Sequence, residues 1–167
     1  MSFQLGSNDD ASASAIGKAE RYALLAEQAQ ALLQGETDRI ANAANLASLL
    51  WHGLPDLNWA GFYFFDGHEL VLGPFQGKPA CVRIAIGKGV CGTAAASCTT
   101  QVVADVHQFE GHIACDSASN AEIVVPLLRG CEVIGVLDLD SPLHGRFDED
   151  DRAGLERIAA IWIAALS

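Results

Sequence analysis

The chain has 167 residues, ten of them lysine or arginine and 21 aspartate or glutamate, for a formal net charge of −11. Such an excess of negative charge argues against a nucleic-acid backbone or an anionic membrane surface as partner, and a 50% hydrophobic content at this length supports one domain with a substantial core. The longest apolar runs, EIVVPLL and IAAIWIAAL, fall well short of the roughly 18 to 20 residues that span a bilayer.

The N-terminal MSFQLGSNDDASASA lacks the basic start and apolar middle of a secretory signal. Residues 1–17 are therefore expected to form a disordered tail, 18–167 a single domain, and the protein to reside in the cytoplasm. From Ala19 to Gln34, apolar residues recur at Tyr22, Leu25, Ala29, Leu32 and Leu33, the spacing of an amphipathic helix that ends near Gly35. A second helix follows in ETDRIANAANLASLLWHGLP, with Thr37 or Asp38 placed to cap it and Gly53 and Pro55 placed to stop it.

The period then changes. NWAGFYFFDGHELVLGPFQG reads as a hairpin around Asp66-Gly67. ACVRIAIGKG is a third strand, GVCGTAAAS a short helical turn, TQVVADV a fourth strand, and EIVVPLLRGCEVIGVLDLDS a fifth and sixth joined at Arg129-Gly130. DEDDRAGLERIAAIWIAAL closes the chain as a helix whose acidic start suits the helix dipole. Helices at both ends of a run of strands predict an α+β fold, a mainly antiparallel sheet of about six strands with the terminal helices packed on it. The longest irregular stretch, Asp105 to Ala121, has the length of a functional loop.

Several patterns carry chemistry. GKGVCG, Gly87 to Gly92, matches a dinucleotide-binding fingerprint, but the helix after it is too short for a βαβ crossover, so a glycine-rich turn is the expectation. Five cysteines, Cys81, Cys91, Cys98, Cys115 and Cys131, include no C-x-x-C pair, which points away from a zinc knuckle or a secreted disulfide framework and toward buried or reactive thiols. His107 or His112 beside Cys115 is a weak signal for a cysteine hydrolase, because the neighbouring Asp116 raises a thiol pKa. Glu122 fits a capping box with Ser119, yet the β-branched IVVPLL after it places Glu122 at the mouth of a strand. Asp138 and Asp140 share one face of a strand while Leu137 and Leu139 take the other. Three acids, a thiol and the aromatics of NWAGFYF thus suggest a small pocket for an ammonium and an apolar group.

GPFQGKPACVRIAIGKGVCGTAAAS, ADVHQFEGHIACDSASNAEIVVPL and VIGVLDLDSP resemble the free methionine-(R)-sulfoxide reductases, which are built on the GAF fold. The resemblance runs from about Tyr22 to the last helix. It implies that Cys115 is the nucleophile that attacks the sulfoxide sulfur, that Cys81 or Cys91 condenses with the resulting sulfenic acid, and that Glu122, Asp138, Asp140, Trp59 and Tyr63 bind substrate. The backbone at Ile113 and Ala114 would hold the substrate carboxylate. No metal or organic cofactor is implied; the partners implied are free methionine sulfoxide, thioredoxin as reductant, and a second copy in a homodimer. The family does not generally carry Cys98 and Cys131, and Cys98 leaves the identity of the resolving thiol open. The competing expectation is a non-catalytic GAF module that senses a small ligand.

Overall fold

The computed structural model describes residues 16–112 and 116–166, and its elements follow the order helix, helix, three strands, helix, three strands, helix. Helix α1 spans Lys18–Leu33 and α2 spans Arg39–Gly53. Strands β1 (Trp59–Phe65), β2 (Glu69–Gly77) and β3 (Arg83–Ala85) form a meander, followed by α3 (Gly89–Ser97). Strand β4 (Gln101–Val103) precedes a 3₁₀ turn at Val106–Gln108, then β5 (Ala121–Arg129), β6 (Glu132–Ser141) and α4 (Glu149–Ala165). One six-stranded sheet results, in the order β3-β2-β1-β6-β5-β4, with every neighbouring pair antiparallel.

The sheet separates two cores because successive side chains leave opposite faces. Ala60, Phe62, Phe64, Ile123, Val125, Leu127, Leu137 and Leu139 pack with α1, α2 and α4 in the larger one. Trp59, Tyr63, Val124 and Val136 face the other way, toward α3 and the long connections, in a smaller one. The two interleaved sets belong to the same strands. Where the second face is not filled by apolar side chains, Glu122, Asp138 and Asp140 stand in the row.

Among the described residues, two of the four helices, α2 and α4, begin at side-chain caps. Asp38 accepts from the backbone N–H groups of Ile40 and Ala41 at 3.0 and 2.8 Å, and Asp148 accepts from those of Asp150 and Asp151, whose side chain returns the bond to Asp148 N in a capping box. Asp151 does more than cap. Fully buried, it accepts from Lys18 Nζ at 2.7 Å, Tyr22 Oη at 2.9 Å and Arg146 Nη1 at 3.0 Å, and so ties α1 to the start of α4. Burial beside this carboxylate pushes the Tyr22 phenol pKa up, and Lys18 holds Asp148 down at about 2.

The third strand is shorter than its sequence suggests. Only Arg83–Ala85 pair with β2, because the chain turns at Gly87 and Gly89, both at positive φ (82° and 60°), to enter α3. This glycine-rich segment is thus a strand-to-helix turn, closed by Gly87 N donating to Gly92 O at 2.8 Å, and α3 has nine residues. The 1–17 tail falls almost wholly outside the described residues. Among the described residues, no helix is long and apolar enough to cross a membrane.

Candidate active site

Cross-strand register assembles the acids. Glu122 on β5 stands opposite Asp140 on β6, and Asp140 stands opposite Trp59 on β1, so a single rung of the sheet carries two carboxyls and an indole. The next rung pairs Asp138 with Gly61. A β-carbon at Gly61 would lie 2.7 Å from the Trp59 ring and 2.4 Å from the Phe75 Cβ, so glycine is what lets the indole lie flat along the strand. Trp59 stacks on Phe75 (centroids 5.3 Å apart) and on Tyr63 (5.8 Å), giving the rung an aromatic wall.

Two connections close the sides. The segment after β2 is held by Trp59 Nε1 donating to Lys78 O at 3.1 Å and Tyr63 Oη donating to Cys81 O at 3.0 Å. Across the mouth, Lys78 Nζ reaches Asp116 Oδ2 at 3.3 Å, and Asn58 Nδ2 donates to Asp116 at 3.4 Å and to Ser119 Oγ at 2.9 Å. A backbone N–H from Ala118 and the Lys78 ammonium hold Asp116 below its ordinary value, so it is ionised. The cleft so formed has an atom-free volume of about 540 Å³, its outer part open to solvent, and Ile84, Lys88, Val90, Cys91 and His112 complete its lining.

At the floor, Cys91, in the first turn of α3, places Sγ 3.9 Å from Glu122 Oε1, and His112 Nε2 lies 3.6 Å from Glu122 Oε2. Burial, then mutual repulsion, raises all three carboxyls well above the usual range: Glu122 next to Asp140, Asp138 next to Glu122, and Asp140 next to Asp138. The same burial, with the charges of Asp138 and Glu122, keeps the Cys91 thiol protonated, and burial lowers His112. Asp138 Oδ1 is buried with no hydrogen-bond partner. Such an acceptor lining a cleft is suited to a cationic or proton-donating ligand.

The structure therefore brings together six of the residues singled out from the sequence: Trp59, Tyr63, Cys91, Glu122, Asp138 and Asp140 all line the cleft. Cys81 is half-buried, next to the lining residue Ala80. Ile113, Ala114 and Cys115 lie outside the described residues, between His112 and Asp116, both of which line the cleft. Cys98, the left-handed residue that ends α3, and Cys131 in the β5–β6 turn are exposed. Asn58, Lys78 and Lys88 escaped sequence reasoning, since single polar residues in connections show no periodicity, and Ser119 was visible only as a capping residue. His112 was considered only beside a thiol, not beside Glu122.

The GAF domain model matches residues 19–166. The chain is 54% identical over 145 residues to the free methionine-R-sulfoxide reductase of Escherichia coli, covering 87% of this chain and 88% of that one. Among solved structures, it superposes on the free methionine-R-sulfoxide reductase of Neisseria meningitidis, determined in complex with its substrate, with a TM-score of 0.87 at 44% identity over 90% of this chain and 91% of that one. The fRMsr of Staphylococcus aureus, also in complex with substrate, gives 0.84 at 53% identity over 87% and 95%. On these likenesses the chain belongs to the GAF-domain family of free methionine-R-sulfoxide reductases.

Proposed function

We propose that the protein reduces free methionine-(R)-sulfoxide to methionine, with Cys115 as nucleophile. The observation that carries this reading is the meeting of three buried carboxyls and the Trp59 indole in one small cleft, on a chain 54% identical to such a reductase. A free amino acid presents an ammonium to Glu122, Asp138 and Asp140 and a side chain to the aromatic wall. Amide formation at that nitrogen removes the charge and adds bulk, so a peptide is a poor fit.

In the first step the Cys115 sulfur attacks the sulfoxide sulfur while a protonated acid of the cluster gives its proton to the sulfoxide oxygen. The sulfur–oxygen bond of the substrate breaks, oxygen leaves on Cys115 as a sulfenic acid, and methionine departs with its sulfur reduced by two electrons. Carboxyls held protonated by burial are suited to this donation at neutral pH. In the second step a thiol attacks the sulfenic sulfur, forming a disulfide and releasing water. Cys81 is our assignment for that thiol, since Cys91 is buried and protonated against Glu122, with Cys91 the alternative partner. Thioredoxin, in the cytoplasm, then supplies two electrons and two protons to restore both thiols.

Racemic free methionine sulfoxide with excess dithiothreitol tests the reading. Methionine formation should stop near half conversion, leaving the S epimer, and Cys115→Ser should abolish it. Turnover of both epimers, or full activity in Cys115→Ser, overturns it.

A further inference from the structure

We propose that the floor of the cleft is also a binding site for a zinc-class divalent cation, held by Cys91 Sγ, Glu122 and Asp138 with His112 Nε2 as fourth donor. Ligand atoms of Cys91, Glu122 and Asp138 lie within 4.8 Å of one another, and all three residues are buried. A tetrahedral zinc with bonds of about 2.3 Å to sulfur and 2.0 Å to oxygen or nitrogen sets its donors roughly 3.3 to 3.5 Å apart. The Cys91 Sγ–Glu122 Oε1 separation, 3.9 Å, requires only a small side-chain rotation to reach that geometry, whereas His112 Nε2, 3.6 Å from the other oxygen, Glu122 Oε2, and outside that group of three, has to swing in to become the fourth donor.

Asp138 Oδ1 itself points to a ligand, being a buried acceptor without a hydrogen-bond partner in a residue only 6% exposed. The donor set selects the class. One thiolate, one imidazole and two carboxylates suit zinc, whereas magnesium and calcium require six or more oxygens. A net charge of −11 draws cations toward the surface, and Asp140 adds a third carboxyl beside the site. Binding replaces the protons that Cys91, Glu122 and Asp138 hold in the metal-free chain, which pass to solvent, with bonds from the metal to sulfur and to the two carboxylates. Because the ion takes the carboxylates assigned above to the substrate ammonium, it excludes the amino acid; this consequence rests on the proposed function, and the binding itself does not.

The test uses the reduced, metal-free full chain. Titration with Co²⁺ should give one ion per chain, visible d–d bands of tetrahedral intensity and a near-ultraviolet sulfur-to-cobalt charge-transfer band, all displaced by Zn²⁺. Cys91→Ser should lose the charge-transfer band and weaken Zn²⁺ roughly tenfold or more, and Glu122→Gln should weaken it with the band retained. Circular dichroism checks that both variants are folded. Cys115→Ser, Cys98→Ser and Cys131→Ser should keep the band. A band that survives Cys91→Ser, or that disappears in one of the other three, overturns the site. Free methionine should raise the apparent Zn²⁺ dissociation constant in proportion to its occupancy. Methionine that binds the metal-free chain by calorimetry yet leaves Zn²⁺ affinity unchanged overturns the shared site, whereas methionine that does not bind the metal-free chain counts against the substrate reading alone.

Discussion

Glu122 and Asp140 are direct cross-strand partners on β5 and β6, both turned to the cleft. Like charges placed opposite one another destabilise a sheet, and burial adds to the penalty. The pair is held in the folded state chiefly by keeping protons, which makes stability depend on pH in a definite sense. The unfolded chain releases carboxyl protons near pH 4, whereas the folded chain retains them to higher pH. The folded state thus binds more protons over that interval, and stability falls as pH rises through it. Asp138→Asn and Glu122→Gln should flatten this decline in urea titrations between about pH 4 and 8 and raise stability at neutral pH by about 1 kcal/mol, with weaker substrate binding. A parent whose stability climbs across that range contradicts the sign.

Proton donation by the same cluster makes a separate demand. Asp140→Asn cannot give a proton, and it also lowers the pKa of Glu122 by removing a neighbouring charge. Single-turnover reduction should slow by about 10² at neutral pH, with the loss growing as pH rises. Full turnover in Asp140→Asn at neutral pH would remove Asp140 as the proton donor.

The indole is positioned from below by the absence of a side chain. Gly61→Ala drives a methyl into the Phe75 Cβ and the Trp59 ring, so it should cost about 1 to 3 kcal/mol in denaturant unfolding and raise KM more than it lowers kcat. Trp59→Phe keeps a ring against Phe75 and Tyr63 but removes part of the buried indole and the N–H bond to Lys78 O. It should raise KM several-fold at a modest cost in stability. Equal effects of the two substitutions on stability would show that the flat seat of the ring is unimportant.

Far from the cleft, Asp151 accepts from Lys18, Tyr22 and Arg146 while fully buried. Asp151→Ala strands the buried Arg146 guanidinium and the Tyr22 phenol, while Lys18 keeps Asp148 at 2.7 Å, and a loss of about 3 to 5 kcal/mol in unfolding free energy is expected. Asp151→Asn should lose less. Both should leave KM unchanged, which separates this fastening of α1 to α4 from the site.

Much of this was written locally in the sequence. Alternation in GVLDLDS was sufficient to put Asp138 and Asp140 on one face and Leu137 and Leu139 on the other, as the strand shows. The Asp66-Gly67 hairpin, the cap at Asp38 and the glycine-rich turn before α3 are likewise short-range choices with short-range signals. What stayed hidden depends on contacts between distant segments. Asp151 reads as a dipole-favoured acid until Lys18, 133 residues away, is seen to meet it. The Lys78–Asp116 pair and the His112–Glu122 approach join irregular connections to each other or to a strand, and no period announces them.

The most direct test of the central claim, that the buried carboxyls read the ammonium of a free amino acid, compares methionine-(R)-sulfoxide with its N-acetyl derivative under identical thiol conditions. Acetylation removes the charge those acids face, so kcat/KM for the free amino acid should exceed that for the derivative by about 10² or more, some 2.7 kcal/mol. Comparable values for the two substrates would contradict the account.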